Sequence, residues 1–233
     1  MNEIIKRKFN IFILGETNIG KTALIVNLVG LPFDQNSITG TYDAIDDFKI
    51  EGKIYKFKIY DSQGQERYRQ INFRQLKIAD AFMIVFAIDI KETFKLIDLY
   101  LKEIEKSTDK ENKPIYIVGN RIDLDKREVS KEEAMEFCKL RNVKYYETSA
   151  KTGFGVKKVF HDLYYETYDA YQRLKTLKTL NEFHIIKDKN EIKTLLEENK
   201  DGGDQNLEEN TFKNKKSDIN KNYISKLSKY YNF

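Results

Sequence analysis

The chain has 233 residues, enough for one domain of ordinary size with an appendage. Hydrophobic residues make up 40% and charged residues 33%, and no apolar run reaches the roughly 18 residues of a membrane span, so an integral membrane helix is excluded. A net charge of +4, from 41 basic against 37 acidic residues, is too mild and too evenly spread to point to nucleic acid. The N-terminus, Met1-Asn2-Glu3-Ile4-Ile5-Lys6-Arg7, lacks the apolar core of a signal peptide and has no glycine after Met1 for myristoylation. Cys138 is the only cysteine, so no intrachain disulfide can form. It falls within a helical pattern and reads as a small buried apolar residue rather than a nucleophile.

Residues 8–14 read as a strand, followed by a glycine-bearing loop and a helix from Lys21. Two runs, 48–50 and 54–60, flank Glu51-Gly52 and predict a hairpin. Near-continuous apolar runs at 81–88 and 115–118, and a shorter one at 143–146, read as buried parallel strands. Helical patterns fall at 92–107, 130–141 and 155–175. Strands alternating with helices predict an α/β fold: a mostly parallel six-stranded sheet with helices on both faces. Ligands of such sheets sit at the carboxyl ends of the strands. Residues 1–176 are expected to form that domain. Asn, Lys and Glu dominate residues 177–233, which are expected to be a polar, largely flexible tail.

The segment Gly15-Glu16-Thr17-Asn18-Ile19-Gly20-Lys21-Thr22 fits G-x-x-x-x-G-K-[ST]. It follows a strand and opens a helix, the context of a phosphate loop. The glycines let the backbone curl so that N–H groups point inward at phosphate oxygens, and the helix N-terminus adds its positive dipole end. Lys21 can then reach the β- and γ-phosphates, and the Thr22 hydroxyl can ligate Mg²⁺. The bland alternative is a glycine-rich turn before a helix.

Three further motifs lie at strand ends: Asp61-Ser62-Gln63-Gly64-Gln65-Glu66-Arg67-Tyr68, Asn120-Arg121-Ile122-Asp123 and Glu147-Thr148-Ser149-Ala150-Lys151. With the phosphate loop they resemble the small GTPases of the Ras superfamily, most of all the Rab family, over residues 8 to about 172. That resemblance implies a P-loop G domain whose nucleotide contacts come from Gly15, Thr17, Asn18, Ile19, Gly20, Lys21, Thr22 and Ala23. It implies that Thr22, Thr39 and Asp61 hold Mg²⁺, Asp61 through a water. The Gly64 N–H would meet the γ-phosphate, and Gln65 would orient the attacking water. Asn120, Arg121 and Asp123 match the guanine motif N-K-x-D, with arginine in place of lysine. The Asp123 carboxylate would accept from guanine N1–H and the 2-amino group, a donor pair that adenine lacks. Ser149, Ala150 and Lys151 match the base-binding loop, with the Ala150 N–H donating to guanine O6. Phe33 stands where the family places an aromatic against base and ribose. Thr39 is the expected γ-phosphate sensor, with Thr41 as the alternative. Gln63 replaces an alanine of the family pattern.

The expected function is therefore a switch that binds GTP and GDP with Mg²⁺, with a slow intrinsic hydrolysis rate, acting in vesicle trafficking or related signalling. Its partners would be an exchange factor, an activating protein and effectors. The alternative is a nucleotide-bound interaction module with little turnover, motivated by Gln63 and by the atypical segment after Thr39. No cysteine follows Cys138, so the sequence as given offers no site for C-terminal prenylation. Membrane contact is expected to be weak or indirect, and the protein cytoplasmic or peripheral on endomembranes. Lys213, Lys215, Lys216, Lys221, Lys226 and Lys229, with Ile224, Leu227 and Tyr231 at helical spacing, allow a basic amphipathic helix. A solvated charge run is the favoured reading. A second stripe, Ile185, Ile186, Ile192, Leu195 and Leu196, has the spacing to pack on the domain or on a partner.

Overall fold

The computed structural model describes residues 7–31, 43–62, 76–107 and 113–198, the last of these from 180 onward as backbone only. Phe33, Thr39, Thr41, Gln63, Gly64, Gln65 and the lysine-rich stretch beyond Lys213 lie outside the described residues. The side chains of the 185–196 stripe lie outside them as well.

A six-stranded sheet runs in the order β2-β3-β1-β4-β5-β6. Its strands are β1 (Lys8–Leu14), β2 (Ala44–Ile50), β3 (Lys53–Asp61), β4 (Ala81–Ala87), β5 (Ile115–Asn120) and β6 (Lys144–Glu147). Among the described residues only β2 and β3 pair antiparallel; the other pairings are parallel. The helices are α1 (Lys21–Leu28), α2 (Lys91–Lys95), α3 (Ile97–Ser107), α4 (Lys131–Leu140) and α5 (Val156–Glu198).

The alternation of side chains along each strand divides the core in two. Phe9, Ile11 and Ile13 of β1 and Met83 and Val85 of β4 face α1 and the first turns of α5, where Leu24, Phe160 and Leu163 meet them. Phe12 and Leu14 of β1 and Phe82, Ile84 and Phe86 of β4 face α3 and α4, packing with Ile97, Tyr100, Ile104 and Ala134. All seven residues of β4 are buried, which is why that run reads as continuously apolar. The Phe57 and Tyr164 rings stack with centroids 3.9 Å apart and help fix α5 on β3. Cys138 is buried in the second core layer, and burial pushes its thiol up to about 12, so it is no nucleophile at neutral pH.

Several boundaries differ from the sequence expectation. Strand β2 begins at Ala44 rather than near Phe48, because it is an edge strand with alternating exposed residues. Its definition comes from register with β3, from Ala44 opposite Ile59 to Ile50 opposite Lys53, and not from apolar continuity. The predicted helix over 92–107 is two, α2 and α3, separated at Leu96. Helix α4 starts where expected, because Ser130 Oγ accepts from the Glu133 N–H at 3.0 Å. Helix α5 runs to Glu198 instead of ending near 175. Residues 176–198 contain no glycine or proline and are rich in Leu, Lys and Glu, so nothing local stops it. The chain divides after Thr176 into two compact units. Among the described residues no helix is long and apolar enough to cross a membrane.

Candidate functional site

The site lies at the carboxyl ends of β1, β3, β4, β5 and β6, where parallel register brings several loops together. The phosphate loop leaves β1 after Leu14 and enters α1 at Lys21. Gly15 sits at φ +136°, and a Cβ there would lie 2.4 Å from the Val85 carbonyl oxygen. Gly20 sits at φ +97°, and a Cβ there would lie 2.4 Å from Asn120 Nδ2. Both glycines are therefore required by close approach as well as by backbone conformation. Ile19 and Ala23 are buried, while Thr17 and Asn18 are exposed, with Asn18 at φ +59°.

Lys21 is buried beneath the loop that precedes it. Its Nζ donates to the carbonyl oxygens of Gly15 at 2.7 Å and Glu16 at 2.6 Å. The ammonium is thus held at the mouth of the curled backbone, beside the N-terminus of α1, where no side chain caps the helix. Asp61 pairs with Ile13 across the β1–β3 register, which carries its carboxylate to the same strand ends. The Thr22 Oγ1 hydroxyl donates to Asp61 Oδ2. A hydroxyl and a carboxylate brought together are hard oxygen donors, the chemistry a Mg²⁺ ion takes. The residues present therefore fit that ion.

The other side of the site is knotted by Asn120, which is 1% exposed. Its Nδ2 donates to the Ile19 carbonyl at 2.8 Å, and its Oδ1 accepts from the Ala150 N–H at 3.0 Å and the Thr148 hydroxyl at 3.2 Å. Asp123 is exposed, and its Oδ1 accepts from the Ser149 hydroxyl at 2.6 Å. Ser149 Oγ in turn accepts from the Thr152 N–H at 3.0 Å. Lys151 is exposed beside them. Arg121, at φ +71°, directs Nη1 to Asp89 Oδ2 at 3.1 Å and Nη2 to the Asn18 carbonyl. One arginine thereby joins the end of β4 to the phosphate loop, something a single point-charge ammonium would do less well than a fork of donors.

Of the expected site residues, the structure brings Gly15, Thr17, Asn18, Ile19, Gly20, Lys21, Thr22, Ala23, Asp61, Asn120, Arg121, Asp123, Ser149, Ala150 and Lys151 to one end of the sheet. Sequence reasoning missed Asp89, Arg127, Glu147 and Tyr145 as its supports. Arg127 Nη1 bonds Glu147 Oε1 at 2.9 Å, and the Tyr145 hydroxyl donates to the same oxygen at 2.8 Å. Burial, then this carboxylate, hold the Tyr145 phenol protonated well above its ordinary range. Glu147 stood inside a motif without an assigned role and the others only near one, since each acts through another residue.

The Ras family model matches residues 10–169, a span that contains every motif above. The chain belongs to the Ras family. It is similar to the Ras-related protein Rab-30 of Homo sapiens, with 38% identity over 159 residues, covering 66% of this chain and 77% of that one. Rab-30 of Bos taurus matches equally well. The Ras-related protein Rab-18 of Lymnaea stagnalis is 32% identical over 155 residues, with the same coverage. The chain is accordingly a Rab-like small GTPase of the Ras superfamily, and it hydrolyses GTP. A Ras-family GTPase binds GTP and GDP, typically with Mg²⁺.

Proposed function

We propose that this GTPase is a Rab-type switch of vesicle trafficking, in which a γ-phosphate orders two loops for effector binding and hydrolysis releases them. The observation that supports one composite nucleotide site is the Asn120 side chain, bonded to the phosphate loop through Ile19 and to the base loop through Ala150. Phosphate and base recognition are then mechanically one unit. The cradle of Gly15, Thr17, Asn18, Ile19 and Gly20, with Ala23 on α1, receives the phosphates. Lys21 turns its ammonium from the loop carbonyls to the β- and γ-phosphate oxygens. Asn120, Asp123, Ser149 and Ala150 read guanine, the Ala150 N–H turning from Asn120 Oδ1 to guanine O6, while the stems of Arg121 and Lys151 and the ring of Phe33 cover it. Thr22, Thr39 and, through a water, Asp61 would hold Mg²⁺, which would supply positive charge against the phosphates. Gln65 orients water, the Gly64 N–H meets the γ-phosphate, and Thr39 closes the site.

Residues 1–176 carry this chemistry and residues 177–233 serve as its appendage. An exchange factor, an activating protein and effectors act on the switch, which works in the cytoplasm and on the periphery of endomembranes through weak or indirect contact. Nucleotide competition tests the central reading. A fluorescent GDP should be displaced by GTP and not by ATP at equal concentration, and equal displacement by ATP would remove it.

A further inference from the structure

A loop built to receive phosphates carries a carboxylate of its own. Glu16 is the only acid between Gly15 and Thr22, and its charge belongs to the wrong sign for the ligand. The side chain is folded inward, leaving the residue 9% exposed. There Glu16 Oε1 accepts a hydrogen bond of 3.2 Å from the hydroxyl of Tyr100. Tyr100 is 2% exposed and lies on α3, in the core layer with Leu14 and Ile97. The two residues are separated by 84 positions in sequence.

The main chain of Glu16 does something different. Its carbonyl oxygen lies 2.6 Å from Lys21 Nζ, beside the Gly15 carbonyl at 2.7 Å. Gly15 has no side chain to anchor this turn, and at φ +136° against Val85 it has no room for one. Glu16 is therefore the first residue of the loop able to tie it to the body of the domain. A carboxylate withdrawn from water needs hydrogen-bond donors. Tyr100 supplies one of them from the core side of the loop.

We infer that Glu16 and Tyr100 are a pair of positioning residues for GTP hydrolysis. The Tyr100 hydroxyl fixes the Glu16 side chain, and Glu16 fixes the backbone from which Lys21 is aimed. Neither touches the substrate. The inference rests on the phosphate-loop reading above. It makes the inner face of α3 a determinant of turnover, through a residue type that no loop motif specifies.

The test uses the full chain loaded with nucleotide and Mg²⁺. Single-turnover hydrolysis, GDP dissociation and amide hydrogen exchange of residues 10–24 in the GDP form are measured for wild type, Tyr100→Phe, Glu16→Ala, Glu16→Gln and the double variant Glu16→Ala/Tyr100→Phe. Loss of one buried hydrogen bond should slow hydrolysis by about three- to tenfold in Tyr100→Phe and in Glu16→Ala. GDP dissociation should quicken as well, by a smaller factor than hydrolysis slows, because Lys21 meets the β-phosphate in both nucleotide forms but the γ-phosphate only in GTP. Exchange in the loop should quicken in both. Glutamine keeps the acceptor oxygen, so Glu16→Gln should stay near wild type in all three measurements. The double variant should be no slower than the slower single one. Wild-type rates and exchange in Tyr100→Phe, equal damage in Glu16→Gln and Glu16→Ala, or additive effects in the double variant would overturn the inference. Lys21→Met separates the two levels. If it too hydrolyses like wild type, the phosphate-loop reading has failed. If it is inactive while Tyr100→Phe is unaffected, only the positioning pair has failed.

Discussion

Asn120 Nδ2 donates to the carbonyl oxygen of Ile19 at 2.8 Å, joining residues 101 positions apart. The same side chain accepts from Ala150 and Thr148. Asn120→Ala would strand the Ile19 carbonyl and the Ala150 N–H without this partner, in a buried place. The expected cost is about 1–3 kcal/mol of stability, with GDP dissociating tenfold faster or more. Thermal unfolding and fluorescent-nucleotide release check both. Lost stability with unaltered release would make the knot a feature of the fold alone.

Asp123 Oδ1 accepts from the Ser149 hydroxyl at 2.6 Å, which orients the carboxylate proposed above to read the base. Asp123→Asn replaces one acceptor by a donor. Preference should move from guanine toward xanthine nucleotides, by on the order of 10² or more in relative affinity. Competition between GDP and XDP reads the change directly, and an unaltered preference for GDP would place guanine recognition elsewhere.

Thr22 and Asp61 converge through a direct hydrogen bond. Thr22→Asn should weaken GTP more than GDP, because the γ-phosphate leans most on the metal charge. Titrating Mg²⁺ while measuring both affinities tests this. A variant whose GTP affinity keeps its full Mg²⁺ dependence would relieve Thr22 of the role.

Intrinsic hydrolysis should be slow, on the order of 10⁻⁴ to 10⁻² s⁻¹, since no arginine of the chain matches an in-cis arginine finger. Gln65→Leu should slow it further, because leucine cannot hydrogen-bond water. Gln63→Ala should raise it severalfold if the long side chain obstructs closure at Gly64, while Gln63→Ala/Gln65→Leu stays slow. Single-turnover assays decide. Unchanged rates in both single variants would disengage both residues from the chemistry.

Asp162 on α5 accepts from Lys158 Nζ at 2.7 Å and from the Tyr146 hydroxyl at 2.9 Å. Burial alone would raise its pKa, but these donors hold it below the ordinary aspartate value. A depressed folded-state pKa gives stability that is present above the unfolded value and is lost as pH falls through the folded one. Asp162→Asn should therefore be less stable than wild type at neutral pH, by under about 1 kcal/mol given the partial exposure. The gap should begin to close as pH falls below about 4 and vanish only below the lowered folded-state value. Urea unfolding across pH checks the sign, and a gap that widens in acid would refute it.

The four motifs were legible because their chemistry is local. A phosphate cradle needs glycine at 15 and 20 and a lysine one residue later, wherever the chain goes next. Alternating apolar runs with helical patterns between them gave the sheet and its two faces. Boundaries were harder to place. Strand β2 is set by pairing with β3, and the end of α5 by the lack of any local stop, so neither leaves an apolar signature.

By itself the sequence determined the family, its class of ligand and the motifs expected to meet it, because backbone conformation and donor type are written residue by residue. Only the tertiary structure decided which residues hold those in place. Tyr100 beneath Glu16, Asp89 on Arg121 and Arg127 on Glu147 are hydrogen-bond partners across 84, 32 and 20 residues. Such pairs depend on strand order and helix packing. The physical reason is that a side chain's partner is set by the distance between elements in the fold, and that distance has no period in the sequence.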